Sequence, residues 1–216
     1  KVFEKNKIRE YKYGLSQLCN KIGLNTPKLF LPENLNYLKN NDFPLIAKPR
    51  FGRGSRGTTI IETKDELERF VKKIKTYYIF QTLINGEEYG LDIINNFNSK
   101  FEALFVRKKI AMKNGETFEA ITQTNDNWKE IGKKLSNILK HQGPIDIDIM
   151  VKNGKKYIID INHRFGGGYI FSHAAGAHLP KVFVSWLLNE NDYDRYLNPK
   201  PGVHSRRNGL SITTFN

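Results

Sequence analysis

The stretch from Gly143 to Gly168, GPIDIDIMVKNGKKYIIDINHRFGGG, constrains the fold more than any other. Two of its runs alternate strictly, Ile145-Asp146-Ile147-Asp148-Ile149 and Ile159-Asp160-Ile161-Asn162. Period-two alternation sends successive side chains to opposite faces of a strand, so each run has an isoleucine face and a carboxylate or amide face. Asn153-Gly154 between them signals a hairpin turn. A two-residue loop pairs Lys152 with Lys155 and sets Asp148 opposite Ile159, which mixes the faces. A three-residue loop pairs Lys152 with Lys156. Asp148 then faces Asp160, Asp146 faces Asn162, and Ile147, Ile149, Ile159 and Ile161 form one buried face. The spacing therefore predicts a bulged turn with Gly154 or its neighbour at positive φ.

Opposed carboxylates on paired strands repel unless a positive charge lies between them. A hard divalent cation fits that need, because magnesium takes oxygen ligands and commonly one or two carboxylates. A half-exposed hairpin with a solvated acidic face is the alternative. Arg164 and Gly166-Gly167-Gly168 follow directly and add a fixed positive charge and a backbone that permits close approach.

At 216 residues with 39% hydrophobic content, the chain can bury a substantial core. Its one cysteine, Cys19, excludes a disulfide framework and a cysteine zinc site, and reads as a buried thiol in a helical pattern. Neither a signal peptide nor an apolar run of membrane length is present, so a cytoplasmic setting without membrane contact is expected. The chain opens on Lys1 rather than Met, which suggests part of something longer. The formal charge of +13 calls for a polyanion. Its lysines are scattered, and neither a basic helical stripe nor a zinc-finger or aromatic RNA platform occurs. A phosphate ligand is therefore preferred to nucleic acid, with a basic RNA-binding module as a minor alternative.

In chain order, Tyr11, Leu15, Leu18 and Ile22 recur at helical spacing and Gly23 is placed to end that helix. Leu29 to Leu31 reads as extended, a short helix follows Pro32, and FPLIAK over Phe43–Lys48 reads as a buried strand. Gly52-Arg53-Gly54-Ser55-Arg56-Gly57 has the G-x-G-x-x-G spacing of a dinucleotide fingerprint. That fingerprint needs a helix to receive the pyrophosphate, whereas the β-branched Thr58-Thr59-Ile60-Ile61 predicts a strand. A glycine loop between strands reads instead as a phosphate flap, favoured over a plain glycine hairpin by its two arginines, its serine and the preceding Lys48. Thr63 and Glu66 form a capping box for the next helix. Strands are expected over Tyr78–Leu83, Glu88–Asn95, Lys100–Arg107 and Ala120–Gln123, with Asn114-Gly115 as a turn. Asn127 and Glu130 are expected to cap a helix reaching His141, and Pro180 to open a last helix through Leu188. The tail from Tyr193 reads as polar and irregular.

Lysine strand, glycine flap, strand, helix, strand, hinge, strand and acidic hairpin, in that order, resemble an ATP-grasp domain. The resemblance covers nearly the whole chain and is nearest to the carbamoyl-phosphate-synthetase-like branch of carboxylate–amine ligases. It implies an α+β fold of two subdomains whose antiparallel sheets clasp ATP. The corresponding division is an N-terminal helix and lead-in over 1–40, a small lid with the flap over 41–83, a larger subdomain with the hairpin over 84–190, and a polar tail over 191–216. By resemblance Lys12, Lys48, Gly52, Gly54, Ser55 and Gly57 bind phosphates. Gln81 sits by the adenine edge, Leu83 offers backbone to it, and Glu88 takes the ribose hydroxyls. Asp148, Asp160 and Asn162 stand as ligands of magnesium, with manganese as a substitute, and Arg164 and Lys48 as catalytic cations.

Relatives carry Glu where this chain has Asp160, and Asn-Pro-Arg where it has Asn162-His163-Arg164. The shorter Asp160 reaches less far and points to one bound metal rather than two. Relatives also carry a preceding α/β domain that helps bind the acceptor, so such a domain of the same chain is an expected partner, and a homodimer is compatible. The implied activity is ADP-forming ligation, in which a small carboxylate is activated as an acyl phosphate and attacked by an amine. A nucleotide-binding regulatory module without catalysis and a carboxylase-type enzyme of the same fold are the alternatives. His163 and His173 read equally as acceptor contacts or packing residues.

Overall fold

A computed structural model describes residues 11–49, 57–74, 77–209 and 211–215. The chain divides into two compact units, one made of Lys1–Gly86 with Lys152–Ile158, the other of Glu87–Val151 with Ile159–Asn216.

In the first unit, helix α1 (Tyr11–Lys21) ends where Gly23 turns to φ +72°. Strands β1 (Leu29–Phe30), β2 (Leu45–Pro49), β3 (Thr59–Ile61) and β4 (Tyr78–Thr82) form an antiparallel sheet in the order β1-β4-β2-β3. Helix α2 (Lys64–Lys73) starts at Thr63, whose hydroxyl accepts from the Glu66 N–H at 3.2 Å. The Glu66 carboxylate accepts from the Glu62 N–H rather than from that of the cap. Leu45, Ala47, Ile61, Leu67 and Phe80 close into this unit's core with Leu38.

The remaining elements are β5 (Glu87–Asn95), β6 (Phe101–Lys113), β7 (Glu116–Gln123), α3 (Lys129–Leu139), β8 (Gly143–Lys152), β9 (Lys155–Asn162), α4 (Tyr169–Ala174), α5 (Leu179–Leu187), β10 (His204–Asn208) and β11 (Ser211–Phe215), all in the second unit except Lys152–Ile158 around the β8–β9 turn, which falls in the first. The seven-stranded sheet runs β11-β10-β7-β6-β5-β8-β9. Cross-strand partners separate its two faces. Leu91 pairs with Val106 and Ile147, and Ile93 with Leu104 and Ile145, so one face is apolar and receives α3. Gly90 pairs with Arg107 and Asp148, and Asp92 with Asp146, so the other face carries the charges. Farther along, Ile94, Ala103 and Phe105 pack with Ala177, Leu179, Val182 and Leu197. No helix among the described residues is long and apolar enough to cross a membrane.

Three expectations need correction. The turn between β8 and β9 is the two-residue Asn153-Gly154, at φ 51° and 72°, not a bulged three-residue loop. Two consecutive positive φ values match the right-handed twist of the strands, and Asn-Gly is the sequence that adopts them most readily. The alternation that argued for the longer loop does not persist in β9. Ile158 and Ile161, on opposite parities, are both buried, and Ile159 is half-buried. Helix α3 starts after Trp128 and without a side-chain cap, so Asn127 does not cap it. Finally, the stretch after His204 is a hairpin on the sheet edge, with Ser205 paired to both Ala120 and Thr214. Its polar alternation, with Ile212 and two threonines in the last strand, suits a half-exposed edge ribbon.

Candidate active site

The charged face of the second unit is built by three strands that register brings side by side. Arg107 is 1% exposed; it donates through Nη1 to Asp92 and through Nη2 to Asp146 at 3.0 Å. Burial disfavours its charge, but the two carboxylates outweigh that and hold the guanidinium above its ordinary value. Burial pushes Asp92 up, and it pushes Asp146 up to about 6 against the pull of Arg107. Opposed carboxylates with a cation between them do exist here. They are Asp92 and Asp146, and the cation is Arg107.

Next to this cluster, Lys109 donates to Glu88 Oε1 and to Asp148 Oδ1, each at 2.6 Å, with its own side chain 7% exposed. Burial disfavours its charge, and Asp148 and Glu88 more than restore it. Asp148 therefore has a protein cation against it.

The loop Gly166–Gly168 covers the buried cluster. A Cβ on Gly166 would collide with the Asp146 carboxylate and one on Gly168 with the Arg107 guanidinium; one on Gly90 would stand 2.9 Å from Arg107 Nε. The close approach that these glycines permit is made, at Gly166 and Gly168, to Asp146 and Arg107. Gly167 O accepts from Arg207 Nη2 at 2.9 Å, which ties the loop to β10. Arg164 lies more open, with Nη1 donating to Phe165 O at 2.8 Å and standing 3.7 Å from Asp146 Oδ2. Asp160 and Asn162 are half-buried at the end of β9. Asp160 Oδ1 accepts from the Ile161 N–H at 3.2 Å, and the Asn162 carbonyl from the Arg164 N–H at 2.9 Å.

In the first unit, Lys48 on β2 donates to Gln81 Oε1 on β4 at 3.2 Å, which brings two expected nucleotide residues together. The Leu83 N–H donates to Pro44 O at 2.9 Å, so that donor is spent inside the unit. Gly57 has φ +73°, and a Cβ there would stand 2.9 Å from Pro49 Cγ. Gly52, Gly54 and Ser55 lie outside the described residues, as does the side chain of Lys12, whose backbone belongs to α1.

Sequence reasoning missed Asp92, Arg107, Lys109 and Asp146 as a set. A signal was present: Asp92 interrupts the run Leu91-Asp92-Ile93-Ile94, and Arg107-Lys108-Lys109 directly follows the apolar run Ala103-Leu104-Phe105-Val106. A charge on a buried strand is retained only with a partner.

The chain thus has two units with antiparallel sheets, and one face of the second unit's sheet carries paired charges. Residues 10–168 match the family described as ATP-grasp domain, and the chain belongs to that family. It is 22% identical over 206 residues to the carbamoyl phosphate synthase large chain of a Thermoanaerobacter species, covering 87% of this chain and 19% of that protein. It is 27% identical over 157 residues to D-alanine–D-alanine ligase of Bacillus anthracis, covering 65% of this chain and 52% of that one. The fold matches carboxyaminoimidazole ribonucleotide synthase of Aspergillus clavatus, solved with ATP, at a TM-score of 0.71 and 10% identity, covering 93% of this chain and 56% of the other. The chain thus spans about a fifth to about half the length of these proteins.

Proposed function

We propose that this chain is the ATP-binding part of an ADP-forming ligase that activates a small carboxylate as an acyl phosphate for attack by an amine. The observation that carries the reading is the convergence of Glu88 and Asp148 on one ammonium, that of Lys109. Glu88 is the candidate ribose acceptor and Asp148 a candidate metal ligand.

Lys48 contributes a phosphate-binding cation, held at a defined place by Gln81. Gly57 and the glycines before it supply backbone N–H groups for the same anion. Arg164, mostly exposed at its side chain, is the cation that neutralises charge on the transferred phosphoryl group. Asp148, Asp160 and Asn162 offer only oxygen donors, which fits a hard ion such as magnesium, with manganese accepted by the same set. When bound, that ion supplies Lewis-acid charge neutralisation at the phosphates. A preceding domain of the same chain belongs to this proposal as a contributor to the acceptor site.

Mg-ATP at one hundred times its Kd should stabilise the chain by about 2.7 kcal/mol. For a chain of this size that is on the order of 5–10 °C in Tm. Lys48→Ala should abolish most of the shift. The intact enzyme should release ADP and phosphate; AMP with pyrophosphate, or no thermal shift, overturns the reading.

A further inference from the structure

Lys109 stands against Asp148, one of the side chains that the metal reading assigns to an ion. Its ammonium, 2.6 Å from both Glu88 Oε1 and Asp148 Oδ1, is nearly enclosed, whereas both carboxylates keep partial exposure. Gly90 lies on β5, between the strands that carry Lys109 and Asp148, directly opposite Asp148, and has no side chain to separate those two charges. One tethered cation of fixed reach thus already faces both carboxylates and offsets one of their two negative charges.

We infer that Lys109 is a resident counter-cation that keeps free divalent metal off Asp148 and so makes metal binding conditional on the nucleotide. The inference rests on the proposed role of Asp148 as a metal ligand. A hydrated free ion must displace a charge-assisted hydrogen bond to reach Asp148 Oδ1, and it gains few ligands in return. A nucleotide changes that balance, because its phosphates bring further oxygen ligands and negative charge toward the same place. The order of binding would follow from one lysine.

The test is a manganese titration of the nucleotide-free 216-residue chain, with free Mn2+ read by electron paramagnetic resonance. Lys109→Met should bind Mn2+ about tenfold or more tightly than the unsubstituted chain, the ratio one charge-assisted hydrogen bond is worth. Lys109→Arg should stay at the weak level of the parent. Adding Asp148→Asn to Lys109→Met should erase the gain. In EDTA, Lys109→Met should melt below the parent, and Mn2+ should restore it, since two neighbouring carboxylates are left without their cation. Should Lys109→Met fail to fold, Lys109→Gln carries the same comparison. Equal Mn2+ affinity in the parent and the neutral variant overturns the inference, even where Asp148→Asn weakens nucleotide-supported Mn2+ binding and the metal reading survives. Nucleotide-supported Mn2+ binding indifferent to Asp148→Asn removes Asp148 from the metal site, and the inference falls with it.

Discussion

Arg107 can be buried because Asp92 and Asp146 neutralise it and because Gly90 and Gly168 leave room for its guanidinium. A side chain in the wrong place here forces either a clash or a separated charge. Gly168→Ala should therefore cost about 1–3 kcal/mol in urea unfolding. Gly167→Ala, where a Cβ would meet nothing within 4 Å, should stay within about 0.5 kcal/mol. Equal effects at the two positions would mean that the loop does not rest on Arg107. His141 makes a second prediction at this scale. Burial lowers its pKa from 6.5 to about 4, its Nε2 is 3.3 Å from Ile93 O, and its buried Nδ1 has no partner. The unfolded chain binds the proton more readily, so the stability contributed by neutral His141 is full above pH 6.5 and lost as pH falls toward 4. Between pH 7 and 4.5 the parent should lose about 2–3 kcal/mol more than His141→Gln, measured by urea unfolding at each pH.

Among the elements, the β8–β9 hairpin shows two local rules in conflict. Face alternation favoured a three-residue loop, turn chemistry favoured Asn-Gly, and turn chemistry prevailed. It could do so because alternation breaks between Ile158 and Ile161, and because Asp148 meets the Lys109 ammonium rather than being set against Asp160. Gly154 has open space around it, so its requirement is purely one of backbone. Gly154→Ala should cost about 1–2 kcal/mol, the strain of a left-handed residue with a Cβ. Asn153→Gly should be nearly neutral, since glycine adopts positive φ freely. Thermal melts of the two variants decide between this turn and a bulged one, which would not need both residues in that conformation. The β10–β11 hairpin went unread for a different reason: polar strands at a sheet edge carry little hydrophobic signal, and their partner β7 lies about 85 residues earlier.

For the whole molecule, two cores mean two places where stability resides. Phe80, fully buried, anchors the first unit among Leu45, Ala47, Ile61 and Leu67. Phe80→Ala should cost about 3–5 kcal/mol. Hydrogen exchange should then lose protection in β2 and β4 while β5, β6 and β8 retain theirs, as expected for separate cooperative regions. Uniform loss across both units would show a single cooperative structure instead.

Local periodicity and turn chemistry determined the order of strands and helices as far as β9, the capping of α2 by Thr63 and the lysine strand before the glycine segment. They also marked Asp148, Asp160, Asn162 and Arg164 as candidates, since residue type at short spacing is a local property, whereas Glu88 came from the family resemblance. Only the tertiary structure decided which charges meet. Arg107 finds Asp92 across 15 residues and Asp146 across 39, and Lys109 finds Glu88 across 21 and Asp148 across 39. Those distances close through the register of β5 with β6 and β8. Period-two alternation says which face a side chain takes, but not which residue of another strand stands beside it.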